Sequence, residues 1–201
     1  MPTIGLTGNF GMGKTTVLGM FKKLGAHTFN IDEFVHKILR KATIIHKMSR
    51  RLGDEVLMKT SSDISINKKK VAAIIFKNPD KRKAIEAIIH PGVLREIKAV
   101  RTNILNKEPD AFIVFEVPLL FEAGYETYFD KTIVVHSTRQ RAINRLTKKG
   151  FTKDDISKRF RSQLPIYKKK KLADFLIENN GDIKTTSNRV KRIFNRLTEN
   201  G

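Results

Sequence analysis

Cysteine and tryptophan are both absent from this 201-residue chain. Without a thiol there is no disulfide, no thiolate nucleophile and no Cys-ligated zinc or iron–sulfur centre, a pattern that fits the cytoplasm. Long apolar runs are missing as well: the richest stretch, Ala111 to Leu120, is broken by Glu116 and Pro118, so no membrane span is expected. Acidic residues are scarce. Asp and Glu number 20 against 40 Lys and Arg, a formal charge of +20. That excess attracts polyanions, whether polyphosphate substrates or nucleic acid. The basic runs, however, are dispersed and not interleaved with the aromatics, which make up only 8% of residues. The charge therefore reads as a solvated surface, and a nucleic-acid partner is disfavoured. The length suits one domain with a sizeable core, and composition leaves the oligomeric state open.

What is present begins at the amino terminus. Gly8-Asn9-Phe10-Gly11-Met12-Gly13-Lys14-Thr15 is a complete G-x-x-x-x-G-K-[ST] phosphate loop, directly after the apolar run Thr3 to Thr7 and before the amphipathic segment Thr16 to Leu24. A strand that hands over to a helix through such a loop aims several backbone N–H groups and the positive helix end at one point, where a triphosphate fits. Gly8, Gly11 and Gly13 let the backbone approach the phosphates. Lys14 reaches the β- and γ-phosphates, Thr15 offers its hydroxyl to Mg²⁺, and Thr16 continues the helix start. A motif starting at residue 8 also leaves no room for a removable leader.

Five β-branched or aromatic-rich runs read as strands: Thr3 to Thr7, His27 to Ile31, Ala111 to Val117, Lys131 to Val135 and Phe175 to Ile177. Nearly all the rest reads as helix. Runs as continuously apolar as Ala111 to Phe115 suit a parallel sheet covered on both faces, hence a three-layer α/β fold with a five-stranded parallel sheet. The interval between the second and third strands far exceeds one crossover helix, so residues 34–106 are expected to form an inserted helical subdomain, with a polar connector at Ser61 to Lys70. The basic segment 138–171 is a candidate helical lid. Residues 1–33, 107–137 and 172–201 then make the nucleotide-binding core.

In such sheets ligands bind beyond the carboxyl ends of the strands. Asp32 follows the second strand, where a carboxylate either accepts a proton from an attacking hydroxyl, holds a Mg²⁺-bound water, or caps a helix beginning near Phe34. Glu116 ends the third strand and is a candidate for the magnesium shell. Beyond it, Pro118, Leu119, Leu120 and Phe121 either line an organic substrate's pocket or pack in the core. His90-Pro91 is expected to end the helical pattern Lys81 to Ile89, because proline disfavours helical geometry in its predecessor; His90 there contacts phosphate or simply packs. Arg141, Arg145, Lys148 and Lys149 share overlapping helical faces that close over a nucleotide or remain solvated, with Arg145 the strongest choice. No Asn-Lys-x-Asp guanine-reading motif occurs, since Asn106-Lys107-Glu108-Pro109 fails at its fourth place.

Together these residues resemble the dephospho-coenzyme A kinase family of phosphate-loop kinases. The resemblance is carried by Ile4-Gly5-Leu6-Thr7-Gly8, Asp32, Ile89-His90-Pro91, Val117-Pro118-Leu119-Leu120-Phe121-Glu122, and Ser162-Gln163-Leu164-Pro165 continuing to Lys169, Ala173-Asp174 and Asn179-Asn180-Gly181. It implies an ATP- and Mg²⁺-dependent kinase of the last step of CoA synthesis. It further implies Asp32 as general base for the ribose 3′-hydroxyl of dephospho-CoA, and His90 with Leu119 to Glu122 near that substrate. Residues 34–106 become a CoA-binding subdomain, Arg145 a lid residue facing the ATP phosphates, and Asn179 to Gly181 neighbours of the adenine. Three departures accompany it: Asn30-Ile31-Asp32 where the family often has Asp-x-Asp; the bulkier Asn9, Phe10 and Met12 in the loop; and Lys148-Lys149-Gly150 where an arginine is usual. The rival readings are another small-molecule or nucleoside monophosphate kinase and, in a different class, a nucleic-acid-associated ATPase.

Overall fold

The computed structural model describes residues 2–60 and 64–199. In chain order the elements are β1 (Thr3–Thr7), α1 (Lys14–Lys23), β2 (His27–Asn30), α2 (Ile31–Ile38), α3 (Ala42–Leu52), β3 (Leu57–Lys59), β4 (Ile64–Ile66), α4 (Lys68–Lys77) and α5 (Pro79–Leu105). There follow β5 (Ile113–Glu116), β6 (Lys131–His136), α6 (Arg139–Lys148), α7 (Lys153–Arg161), α8 (Ile166–Leu172), β7 (Phe175–Glu178) and α9 (Ile183–Glu199). The chain divides into two compact units, one spanning Ile31–Asn103 and the other taking the remaining described residues.

The larger unit is built on a five-stranded sheet in the order β2-β5-β1-β6-β7, every pairing parallel. Side chains alternate across it, as the two-residue period of a strand requires. Ile4 and Leu6, Val114, Ile133 and Val135, and Ile177 face Val17 and Phe21 of α1 and Val190 and Leu197 of α9 in one core. The intervening positions carry Phe29, Phe115 and nearby Phe129, whose rings meet at centroid distances of 5.2 and 5.8 Å. Both faces are thus apolar, which accounts for the unbroken hydrophobic runs of the sequence. All five expected strands are present, with Ala111 and Phe112 buried but outside β5.

The Ile31–Asn103 unit differs from expectation at three places. It begins three residues before Phe34 and ends before Asn106. Its polar connector is in part a strand: β4 pairs antiparallel with β3, Leu57 opposite Ile66, and Lys68 to Lys70 open α4, while Ser61 to Asp63 lie outside the described residues. Three-residue strands leave too short a period-2 pattern to be recognised. Thirdly, the helix does not stop at His90: α5 runs through Pro91 to Leu105. Proline removes one backbone donor, but buried residues on both sides of it, Ile85 before and Gly92, Val93 and Ile97 after, hold the helix in place. Elsewhere the unit follows the helical period. Ile31, Phe34 and Ile38 of α2 and Ile44, Met48 and Leu52 of α3 form buried stripes. Asn67 and Asn78 accept from the N–H groups of Lys70 and Lys81, satisfying helix-start donors at 3.1 and 2.9 Å.

Candidate active site

The phosphate loop leaves β1 at the carboxyl end of the sheet and enters α1 with Gly13 in the left-handed region, φ 96°. Two glycines there are dictated by close approach. A Cβ at Gly8, φ 149°, would lie 2.2 Å from the Val135 carbonyl oxygen, and one at Gly13 would lie 2.0 Å from Asn179 Nδ2. Lys14 is buried and its Nζ donates to the carbonyl of Asn9 at 3.4 Å, so the ammonium lies across the loop. Gly11 packs against Leu146 of α6, and Met12 is buried behind the loop.

The Met12 carbonyl is a junction. It accepts from Asn179 Nδ2 at 2.9 Å and from Arg145 Nη1 at 3.4 Å, while Arg145 Nη2 donates to the Asn179 carbonyl at 2.9 Å. Because a carbonyl only accepts, the Met12 contact fixes the direction of the amide, and Asn179 Oδ1 faces Thr186 Oγ1 at 3.1 Å, a hydroxyl also 3.0 Å from the Asp182 carbonyl. Burial, and then the neighbouring Arg141, push Arg145 below the ordinary arginine range, but a guanidinium stays charged. The structure thus brings Gly13, Arg145 and Asn179 together. Lys148 and Lys149 are exposed at the end of α6, and Gly181 is exposed two residues beyond Asn179.

Thr15 is exposed, and its hydroxyl donates to Oε1 of the buried Glu116 at 3.3 Å. Asn30, Glu116 and Leu6 are in register across β2, β5 and β1, so this carboxylate and the loop share one edge of the sheet. Among the described residues no group of three or more His, Asp or Glu side chains is arranged to hold a metal. A hydroxyl beside a single carboxylate is nevertheless a donor set that suits Mg²⁺, a hard cation that keeps waters and takes phosphate oxygens with only one or two protein ligands. After Glu116, Leu119 is exposed, Pro118 and Phe121 are half-buried, and Leu120 is fully buried, packing beneath Gly5. Glu122 Oε1 accepts from Lys169 Nζ and from the N–H of Leu164, each at 2.8 Å.

In the Ile31–Asn103 unit, Asp32 and Glu33 are exposed in the first turn of α2. The helix starts at Ile31, so Asp32 is not its cap; a negative charge in the first turn still complements the helix dipole. His90 is half-buried in α5, where burial lowers its pKa against the opposing charge of Glu86.

One cluster escaped the sequence reading. Arg159 of α7 lies over the rings of Phe10 and Phe151 at 4.6 and 5.4 Å, and the two rings meet edge to face at 5.1 Å. Phe10 N also donates to Gln163 Oε1, at 2.9 Å. The available signal was an aromatic inside a glycine loop, which must be covered by something.

A phosphate loop on a parallel sheet, a carboxylate beside its Thr15 and an arginine from the following helical segment define a phosphate-loop kinase. The family model for dephospho-CoA kinase matches residues 2–185. A dephospho-CoA kinase of Aquifex aeolicus is 35% identical over 199 residues, covering 98% of each chain. Among solved structures, a Thermus thermophilus protein superposes with a TM-score of 0.79 at 25% identity, covering 97% of each chain. Dephospho-CoA kinase from Campylobacter jejuni gives 0.69 at 27%, covering 98% of each. The chain belongs to the dephospho-CoA kinase family.

Proposed function

We propose that this protein transfers the γ-phosphoryl group of Mg·ATP to the ribose 3′-hydroxyl of dephospho-CoA, giving CoA and ADP, in the cytoplasm. The observation that carries the reading is the junction at Met12, where a preset phosphate loop is tied to Arg145 and Asn179. Catalysis of phosphoryl transfer is chiefly positioning and charge stabilisation. Gly8, Gly11, Met12, Gly13 and Thr16 shape the phosphate cradle, Lys14 neutralises the β- and γ-phosphates, and Arg145 with Lys149 adds charge from the lid, residues 138–171. Thr15 and Glu116 would hold the magnesium that arrives with the nucleotide, and the ion would supply charge neutralisation at the phosphates. Asn179 and Gly181 neighbour the adenine.

Asp32 acts as general base. It takes the proton of the 3′-hydroxyl as that oxygen bonds to the γ-phosphorus, and the bond to the β–γ bridging oxygen breaks to release ADP. His90 and the segment Pro118, Leu119, Phe121 and Glu122 form the dephospho-CoA side, with residues 34–106 as its subdomain; Leu120, expected there too, is fully buried beneath Gly5 and supports the segment from behind. Two features of the chain support these roles: Asp32 follows the last residue of β2 by two positions in sequence, and Leu119 presents an exposed apolar side chain three residues after Glu116.

The test is ADP release by the purified protein with Mg·ATP, offering dephospho-CoA, AMP, other small alcohols or DNA in parallel, with Lys14→Ala as the blank. CoA formed only with dephospho-CoA is the expected result. Turnover with another acceptor and none with dephospho-CoA would overturn the substrate; stimulation by DNA would favour an ATPase.

A further inference from the structure

Glu122 and Lys169 form an ion pair that phosphoryl transfer itself does not use. Lys169, on α8, is fully buried, and its Nζ lies 2.8 Å from Glu122 Oε1 and 3.2 Å from the Pro118 carbonyl oxygen. Burial pushes its pKa down, against the hydrogen bond and charge of Glu122. Apolar residues of similar volume commonly hold a protein together as well as or better than a buried pair does. The pair does something an apolar pair cannot: it directs hydrogen bonds at backbone groups.

Those groups lead to the phosphate loop from two sides. The Pro118 carbonyl that receives Lys169 also receives Thr7 Oγ1, at 3.3 Å, on the residue from which the loop departs. The Glu122 oxygen that receives Lys169 also receives the N–H of Leu164, and the Leu164 carbonyl accepts from Asn9 Nδ2 at 3.1 Å. Gln163, the adjacent residue, accepts from Phe10 N. Thr7, the last residue of β1, and Asn9 and Phe10 in the first half of the loop are all fixed to segments that meet at one ammonium group.

We infer that Lys169, acting through Glu122, Leu164 and Pro118, is a positioning residue that presets the phosphate loop for nucleotide. The inference rests on the proposed assignment of this loop to ATP, but not on the acceptor. Its test therefore uses Mg·ADP binding by calorimetry, alongside kcat, KM and Tm. In Lys169→Met, a carboxylate remains buried without its cation, and Tm falls. In the double variant Glu122→Gln with Lys169→Met no charge is stranded, so much of the Tm returns. Mg·ADP affinity does not return with it: it stays about 10-fold weaker than wild type, the scale of one lost hydrogen bond. Gln163→Ala, which leaves the ion pair in place, is expected to weaken Mg·ADP binding in the same direction while barely moving Tm. Wild-type affinity in the folded double variant, or in Gln163→Ala, would overturn the inference and leave Lys169 a stability residue. Failure of wild-type protein to use dephospho-CoA would leave the binding test intact.

Discussion

Around the phosphate loop, position comes from polar contacts between residues far apart in sequence: Met12 with Arg145 and Asn179, Asn9 with Leu164, Phe10 with Gln163. In the Ile31–Asn103 unit it comes from apolar stripes on helices, and the residues of chemical interest, Asp32 and His90, are carried on those helices. The difference teaches where each region is vulnerable. A loop whose backbone has been preset fails when one atom intrudes. A helix that presents a side chain tolerates its replacement and fails in chemistry alone.

The sharpest test of that contrast pairs Lys14→Ala with Asp32→Asn. Each is expected to lower kcat/KM by about 100-fold or more, the scale of losing a charge contact or a general base. They should separate in binding. Lys14→Ala weakens Mg·ADP, measured by calorimetry, whereas Asp32→Asn leaves it unchanged and loses kcat. Near-normal turnover by Asp32→Asn would remove its assigned role, and weakened ADP binding would break the division of labour between the units.

Next in size is Gly13→Ala. The new Cβ meets Asn179 Nδ2 at 2.0 Å, and Asn179 cannot retreat without abandoning Met12 and Thr186; the φ of 96° adds strain that glycine escapes. A loss of about 2–4 kcal/mol in unfolding free energy is expected, with weaker nucleotide binding, as the sum of backbone strain and a displaced buried polar group. Denaturant unfolding measures it. A variant as stable as wild type would show that the Asn179 contact is soft.

A smaller effect tests the other unit. Gly92→Ala places a Cβ 3.1 Å from Ile38 Cδ1, and Ile38 is itself buried. Alanine gains about 1 kcal/mol of helix propensity over glycine, while overpacking a filled core costs about 1–3 kcal/mol. The net expectation is a loss of about 1 kcal/mol, read as a small fall in Tm, with Mg·ADP affinity unchanged. A rise in Tm would mean that Ile38 has room to turn aside.

The same contrast governs what could be read in advance. The phosphate loop was legible because its chemistry is compressed into eight consecutive residues, and the strands because the central ones, β1, β5 and most of β6, are buried on both faces and the half-buried edges β2 and β7 keep β-branched or aromatic residues. The β3–β4 hairpin was not, since three-residue strands carry almost no periodic signal, nor was the passage of α5 through Pro91, where tertiary packing overrides a local rule. Glu116 and Arg145 were found as residue types at a strand end and on a helix face, and Asn179 only through the family resemblance. Their partners were invisible: that Asn179 would bond the Met12 carbonyl, 167 residues away, is a property of the folded sheet. Phe10 showed only as an oddity until Arg159 and Phe151 were found to cover it.

The smallest expected effect concerns His90, and its sign follows from burial. Its folded-state pKa lies below 6.5 because burial disfavours the imidazolium, with Glu86 only partly compensating. Between that depressed value and 6.5 the unfolded chain binds more proton than the folded one, so stability rises with pH across this window. The contribution of His90 is complete above the unfolded value and is lost as acid carries the solution through the folded one. Thermal unfolding between pH 7.5 and 5 is therefore expected to show a shallow acid-side decline that His90→Gln reduces; the part that remains belongs to His136, also held below 6.5 chiefly by burial. Any effect of the same substitution on the KM for dephospho-CoA at pH 7.5, where the ring is neutral in both states, must come from a contact and not from charge. A decline unchanged in His90→Gln would assign the titration elsewhere, and a KM unmoved at neutral pH would take His90 out of the acceptor site while leaving its place in α5 as it stands.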